Sequence, residues 1–262
     1  MDLSLTETQT MLQSVTKELM DQEVPKSRVL EIDDSESGFD ALLWEKMCEM
    51  GLPGILISEE YGGSGNTLTD LGVVYEVLGY YACPSPHLSS AVLAAQVIAL
   101  AGSEKQKQDL LPAIASGQQI FAFAFTEPDY GWGSESIQLM ATREGDTFTL
   151  NGTKLFVPDA NVADQIVVAV RTGKEENSGN GITLFVIPNT LSGINIRTQS
   201  GWIGPKVCEV NFENVTLNEN NLIGNIGDAW PTIEQVLDKG TAVLAAFMAG
   251  GTQRVYDMAR DY

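Results

Sequence analysis

The sequence predicts an α+β fold in three parts. An N-terminal α-helical domain covers residues 1–119, a middle antiparallel β-barrel or sandwich domain covers residues 120–226, and a further helical stretch covers residues 227–262. Three observations predict this. Before residue 120 the apolar residues recur at helical spacing. From Phe121 onward they fall into short alternating runs separated by turn pairs such as Asn151-Gly152. After Gly227 the helical spacing returns.

Residues 5–24 read as an amphipathic helix. Thr6 or Ser4 supplies the cap, Leu12, Val15, Leu19 and Met20 form the stripe, and Val24-Pro25 closes it. Residues 31–38 are acidic and read as an exposed loop. Residues 39–50 read as a helix with Leu42, Leu43 and Met47 inward and Gly51 as its C-terminal cap. Residues 69–80, 88–101 and 104–115 complete the helical part, with Cys83-Pro84-Ser85-Pro86 as a breaker. His87, the lone histidine beside that breaker, reads as a packing or surface residue rather than a catalyst. Strands are expected at residues 121–125, 138–142, 147–150, 165–170, 182–187, 193–197 and 207–212. Asn151-Gly152 and Glu144-Gly145-Asp146 read as hairpin turns. Residues 173–181 read as a polar surface loop. Two helices are expected last, at residues 229–236 and 241–262. The second reaches Tyr262 without a capping signal, which leads us to expect a truncated chain, a split gene product or a chain that pairs with another subunit.

Composition narrows the function. With 44% hydrophobic residues, the 262-residue chain has enough apolar material for a large core. A net charge of -20 disfavours nucleic acid and anionic membrane surfaces. It also sits awkwardly with any polyanionic ligand, which would need local cations or helix N-termini. Cys48, Cys83 and Cys208 are odd in number and lack metal-ligand spacing, so neither a disulfide framework nor a metal site is expected, and a reducing cytoplasm is. The opening residues lack the pattern of a secretory signal, and no apolar run reads as a membrane span.

The stretch of residues 121–158 carries the chemistry. An apolar strand runs into Thr126-Glu127-Pro128 and then into a loop rich in Gly and Ser, whose backbone N–H groups suit a phosphate-bearing ligand. Phe123-Ala124-Phe125-Thr126-Glu127-Pro128 with Gly131 and Ser134-Glu135 resembles the Tyr-x-x-Thr-Glu-Pro-x-Ala-Gly-Ser-Asp signature of the acyl-CoA dehydrogenase family. Asn151-Gly152-Thr153-Lys154-Leu155-Phe156-Val157, trailed by Ala163-Asp164, is similar to that family's Asn-Gly-x-Lys-x-Trp-Ile-Thr motif. Ser58-Glu59-Glu60-Tyr61-Gly62-Gly63-Ser64-Gly65 looks like its Pro-Glu-x-Tyr-Gly-Gly-x-Gly loop, and residues 212–224 resemble the end of its β domain. The resemblance covers essentially the whole chain, while the chain covers about the first two-thirds of the family pattern. Residues 227–262 would then be the incomplete start of a C-terminal helical bundle.

What the resemblance implies is FAD as cofactor and α,β-dehydrogenation of an acyl-CoA thioester. Phe123, Phe125, Thr126, Gly131, Ser134, Phe156, Val157 and Pro158 would contact the flavin. Ser134, Asp238, Lys239 and Thr241 would contact the substrate. Several positions depart from the pattern. Phe156 replaces a Trp, Phe123 replaces a Tyr, and Pro158 replaces a hydroxyl residue and offers no donor. Trp132-Gly133 lengthens the loop and would displace Ser134. Thr241 replaces an Arg. The family's catalytic glutamate has no counterpart here, so no catalytic residue is assigned. The implied partners are a homo- or hetero-oligomer with another chain of this kind and an electron-transfer flavoprotein or similar acceptor. The rival readings are a non-catalytic partner subunit of the same fold, or a related flavoenzyme acting on a non-CoA substrate such as a nitroalkane or an amine.

Overall fold

The computed structural model describes residues 4–129, 131–173, 180–199 and 206–262. α1 (Glu7–Glu23) starts at Thr6, whose hydroxyl accepts from the Gln9 N–H while the Gln9 side chain returns the bond. α2 (Lys26–Asp34) corrects the first reading, which expected a loop from residue 31. Pro25 presets the entry angle of this helix, and Val29 and Ile32, three residues apart, both pack inward on the core. α3 (Ala41–Glu49) is capped by Asp40, which accepts from the N–H groups of Leu42 and Leu43. Gly51 closes it at φ 71°, as expected. Leu42, expected inward, is 62% exposed. Trp44 takes the inner face instead, its indole N–H donating to Gly117 O at 3.2 Å.

α4 (Leu68–Tyr80) begins with a capping box between Thr67 and Asp70. Residues Leu88–Ala94 form a π-helical turn that runs into α5 (Ala95–Ala101). α6 (Glu104–Ala115) starts at a second such box, Ser103 with Gln106. The expected bounds of α6 hold as read.

The strands are β1 (Phe121–Ala124), β2 (Met140–Glu144), β3 (Thr147–Pro158), β4 (Gln165–Arg171), β5 (Ile182–Pro188), β6 (Ile194–Thr198), β7 (Val207–Asn218) and β8 (Leu222–Ile223). They join in the order β6-β7-β3-β2-β4-β5-β8, with β1 against β4. The sheet is mixed rather than wholly antiparallel, because β1 runs parallel to β4 and Met140 pairs in parallel with Arg171. Burial explains this: β1, β4 and β5 alternate their side chains between two cores. Phe121, Phe123, Val167 and Leu184 face one core, and Ala122, Ile166, Val168 and Phe185 face the other. Strands covered on both faces tolerate parallel pairing.

Asn151-Gly152 is not a hairpin turn. β3 runs through it, and the register against β7 slips between Leu150 and Gly152, where Gly152 sits at φ 143°. The polar loop expected at residues 173–181 has its middle, 174–179, outside the described residues.

α7 (Trp230–Asp261) is one helix of 32 residues where the sequence suggested two. Gly240 does not break it. That glycine is buried, and a Cβ there would stand 2.7 Å from Leu93 Cδ2, so its small size serves close packing. α7 crosses α4 in the same way: a Cβ on Gly79 would meet Phe247 O at 1.9 Å, and one on Gly250 would meet Glu76 O at 1.8 Å. No helix among the described residues is long and apolar enough to cross a membrane.

Candidate cofactor and substrate site

The chain beyond β1 lies beside the end of β3. Leu155 N–H donates to Thr126 O at 2.8 Å, which sets Thr126 next to Phe156. The β3–β7 register slips again between Lys154 and Val157. Within that slip Phe156 adopts φ 51°, and the residue is 46% exposed. Behind this ledge, Lys154 Nζ donates to Glu127 Oε1 at 2.6 Å and to Phe125 O at 3.0 Å. Glu127 also accepts from the N–H groups of Gln138 at 2.9 Å and Leu139 at 3.0 Å. Arg171 reaches Ile137 O at 2.8 Å and Ser134 O at 2.7 Å. Three buried charged side chains therefore hold both ends of the loop after β1. Burial pulls the Lys154 ammonium down to about 8, against the opposing pull of Glu127.

The expected flavin residues fall into two groups. Phe123 and Phe125 are buried, and Phe125 stacks on Trp230 with centroids 6.3 Å apart. Val157 is buried too, so these three positions offer backbone rather than side chain. Thr126, Gly131, Ser134 and Pro158 are half-buried, and Phe156 is exposed. The N–H and hydroxyl of Thr126 have no hydrogen-bond partner among the described residues. The Trp132-Gly133 extension is absorbed by a short 3-10 turn, Ser134–Ser136, with Trp132 thrown outward at 88% exposure. A Cβ on Gly131 would stand 2.4 Å from Ser136 Cβ, so only glycine allows that fold-back.

Among the described residues, no hydrogen bond joins the expected substrate residues on α7 to this loop. Asp238 is exposed, Lys239 Nζ donates to Gln96 Oε1 at 2.6 Å, and the Thr241 hydroxyl donates to Leu237 O at 2.8 Å. Asp238 stands eight residues, about 12 Å of helix, beyond Trp230. Glu127, Lys154 and Arg171 were not foreseen as structural charges. For Lys154 and Arg171 the available signal was an ionisable residue at a core-facing strand position, whereas Glu127 lies in the loop after β1.

A cavity of about 310 Å³ lies between α2, α4, residues 82–88 and α7. Tyr75, Leu78, Leu88, Leu244 and Phe247 line it, with Asp159. Asp159 sits at φ 59°, donates its backbone N–H to Lys206 O at 3.0 Å, and accepts from the Ser89 hydroxyl at 2.5 Å. Burial pushes its carboxyl up to about 6. His87 is buried behind Tyr75, with 2.9 Å contacts to Tyr75 Oη and Leu52 O, and burial pushes it down to about 4. It packs, as expected.

This arrangement suits a flat heteroaromatic ring whose edge meets the free donors of Thr126 and whose face meets Phe156. Pro158 gives such a ring no donor. No group of His, Cys, Asp and Glu among the described residues could hold a metal ion.

Comparison with known proteins identifies the two domains. Residues 6–118 match the model for the acyl-CoA dehydrogenase N-terminal domain, and residues 122–215 match that for the middle domain. The short-chain specific acyl-CoA dehydrogenase of Clostridium acetobutylicum is 32% identical over 100% of this chain and 70% of its own length. Butyryl-CoA dehydrogenase from Megasphaera elsdenii superposes with a TM-score of 0.91 at 26% identity, over 100% of this chain and 70% of that one. A structure described with the electron transferring flavoprotein of Acidaminococcus fermentans gives 0.86 at 30% identity, over 95% of this chain and 66% of that one. The expectation of FAD as cofactor agrees with these matches. Two domain models in the expected order, and a relative this similar along the whole chain, establish that the chain belongs to the acyl-CoA dehydrogenase family.

Proposed function

We propose that this chain supplies the flavin ledge and the acyl-chain pocket of an FAD-dependent enzyme that dehydrogenates an acyl-CoA thioester between its α and β carbons. The observation that carries the proposal is Thr126. Its N–H and hydroxyl are free beside Phe156, at a crossing that Glu127 and Lys154 hold rigid. When bound, FAD supplies the acceptor for the hydride leaving the β carbon. Thr126 and Ser134 would orient the ring, Phe156 would cover it, and the Phe123, Phe125, Gly131, Val157 and Pro158 backbone would shape its seat. The apolar cavity walls, Leu78, Leu88 and Phe247, would hold the acyl chain and exclude water. Lys239 is the cation that would meet the CoA phosphates, with Asp238 and Thr241 beside it.

No carboxylate of this chain is assigned as the base that removes the α proton. The reading therefore places the chain in a larger or heteromeric enzyme, paired with another acyl-CoA dehydrogenase-like chain. One observation favours this. Met248, Val255, Tyr256 and Met258 on α7 are 69%, 67%, 60% and 54% exposed, an apolar face that an added helical layer would cover. The same face suits the second reading, a non-catalytic partner of the same fold. An electron-transfer flavoprotein or similar acceptor would reoxidise the flavin. The three cysteines are free, which fits a reducing cytoplasmic setting.

The test is spectroscopic. The purified chain, alone and co-expressed with a candidate partner chain, is titrated with FAD and then with an acyl-CoA. Flavin absorbance that bleaches on acyl-CoA addition supports the dehydrogenase. Flavin taken up only in the co-expressed complex, and not bleached there, supports the partner-subunit reading. A chain that takes up no flavin in either form overturns the proposal.

A further inference from the structure

We propose that Asp159 makes the cavity beside α7 a recognition site for an ammonium ion: a small apolar amine, free or carried on an acyl group. The argument starts from what surrounds this carboxylate. Oδ2 accepts from Ser89 Oγ at 2.5 Å. Oδ1 has no hydrogen-bond partner among the described residues, and Asp159 makes no ion pair among them. Glu127 shows how the same fold treats a structural carboxylate: it is met by Lys154 and by two backbone N–H groups. Asp159 has none of these: it is half-buried, and the Ser89 hydroxyl is its side-chain partner among the described residues. The cavity it lines is at the small end of the range for ligand pockets, about 300–1,000 Å³.

The position of the carboxyl is fixed. Asp159 takes a left-handed backbone angle, which Asp tolerates better than most residues, and its carbonyl accepts from the N–H groups of Val162 and Ala163. Ser89 has one hydroxyl hydrogen and two acceptors in reach, Asp159 Oδ2 and Pro86 O at 3.0 Å. Donation to Asp159 leaves Oδ1 as the oxygen that faces a ligand.

The rest of the lining fits a cation. It holds a second carboxylate, Asp33, and the Lys206 ammonium that borders it donates to Asp33 O at 2.7 Å. Tyr75 and Phe247 form an edge-to-face pair, centroids 6.4 Å apart, on the wall of the same cavity. Aromatic faces attract ammonium groups, the more so where water is excluded. The overall charge of -20 steers cations toward the protein. Binding of a free amine stands on the cavity alone. The extension to an amine-bearing acyl substrate rests on the proposed function.

Benzylammonium and its neutral isostere benzyl alcohol test this on the full chain without added flavin, by calorimetry or ligand-detected NMR. We expect the ammonium to bind wild type about tenfold more tightly than the alcohol. Asp159→Asn is expected to remove that preference while leaving alcohol binding unchanged. Equal affinities in wild type, or ammonium affinity retained in Asp159→Asn, overturn the proposal. A pH series on wild type needs no variant. The other titratable or charged groups around Asp159 are Asp33 on α2, Tyr75 on α4, His87, Cys83, Lys206, and Cys208 on β7. Ammonium affinity is expected to fall about tenfold between about pH 8 and about pH 5, as the carboxyl takes its proton. Affinity that does not change over that range counts against the proposal. Since no flavin is present, a failure here and a failure of FAD uptake are separate results.

Discussion

Lys154 Nζ stands 2.6 Å from Oε1 of Glu127, with the lysine side chain wholly buried and the carboxylate almost so. The pair joins β3 to the loop after β1, and so fixes the spacing of Thr126 from Phe156. Breaking such a pair from one side leaves a buried charge uncompensated. Lys154→Met is therefore expected to cost about 3–5 kcal/mol in urea unfolding. A cost below about 1 kcal/mol, the range of an exposed pair, would show that the loop does not depend on it.

Adjacent glycines in α7 should behave in opposite ways. A Cβ on Gly250 would meet Glu76 O at 1.8 Å, whereas one on Gly251 finds nothing nearer than Gly79 O at 3.6 Å. Gly250→Ala must push α4 and α7 apart and is expected to lose about 1–3 kcal/mol. Gly251→Ala gains helix propensity and is expected to be neutral or stabilising by up to about 1 kcal/mol. Thermal melts of the two variants decide the matter. Equal losses would mean that the crossing is looser than the contact implies.

Asp159 and His87 pull stability in opposite directions over the same pH window. The folded chain keeps Asp159 protonated up to about 6, while the unfolded chain ionises it near 3.8, so its contribution is full below the lower value and is lost as pH rises through about 6. The folded chain keeps His87 neutral down to about 4, while the unfolded chain protonates it near 6.5, so stability is lost as pH falls through that interval. The two slopes offset each other in wild type. Asp159→Asn should uncover the histidine slope, with a melting temperature that drops on acidification from about 6.5 to about 4. His87→Gln should show the reverse trend. Calorimetry across that window checks both, and unchanged profiles would sink the assignment.

Pro158 sits at the last position of β3, paired with Val207, where a threonine would fit the strand. Pro158→Thr adds an N–H and a hydroxyl at the ledge beside Phe156, each worth about 0.5–1.5 kcal/mol if bonded. Under the proposed function, FAD affinity should rise by about tenfold, read from quenching of flavin fluorescence. Affinity that does not change would mean that the ring does not reach this strand end.

The helices were legible in the sequence because their ends carry chemistry of their own. Thr6, one of the two caps the sequence offered, closes a capping box on α1, and Thr67 and Ser103 close boxes of the same kind on α4 and α6. What failed were places where packing overrides local preference. Gly152 and Gly240 look like breaks and are close-packed residues inside longer elements. Residues 31–34 look solvated because they are acidic, yet Ile32 anchors them to the core. Motif reading named Thr126 and Phe156, which the structure sets side by side. It did not reveal Asp159, because nothing local in a Pro-Asp-Ala stretch shows that the side chain borders a cavity built from four distant segments.

The π-helical turn at residues Leu88–Ala94 places two consecutive serines on the β domain. Ser90 Oγ accepts from Phe121 N–H at 3.0 Å, while Ser89 holds Asp159. The helical and β layers are thereby stitched at neighbouring points on opposite sides of one turn. A hinge between them would have to open both stitches together, inside a dry contact. Under the proposed function, ligand exchange is then expected to use local side-chain movement around α7 rather than a hinge between the layers.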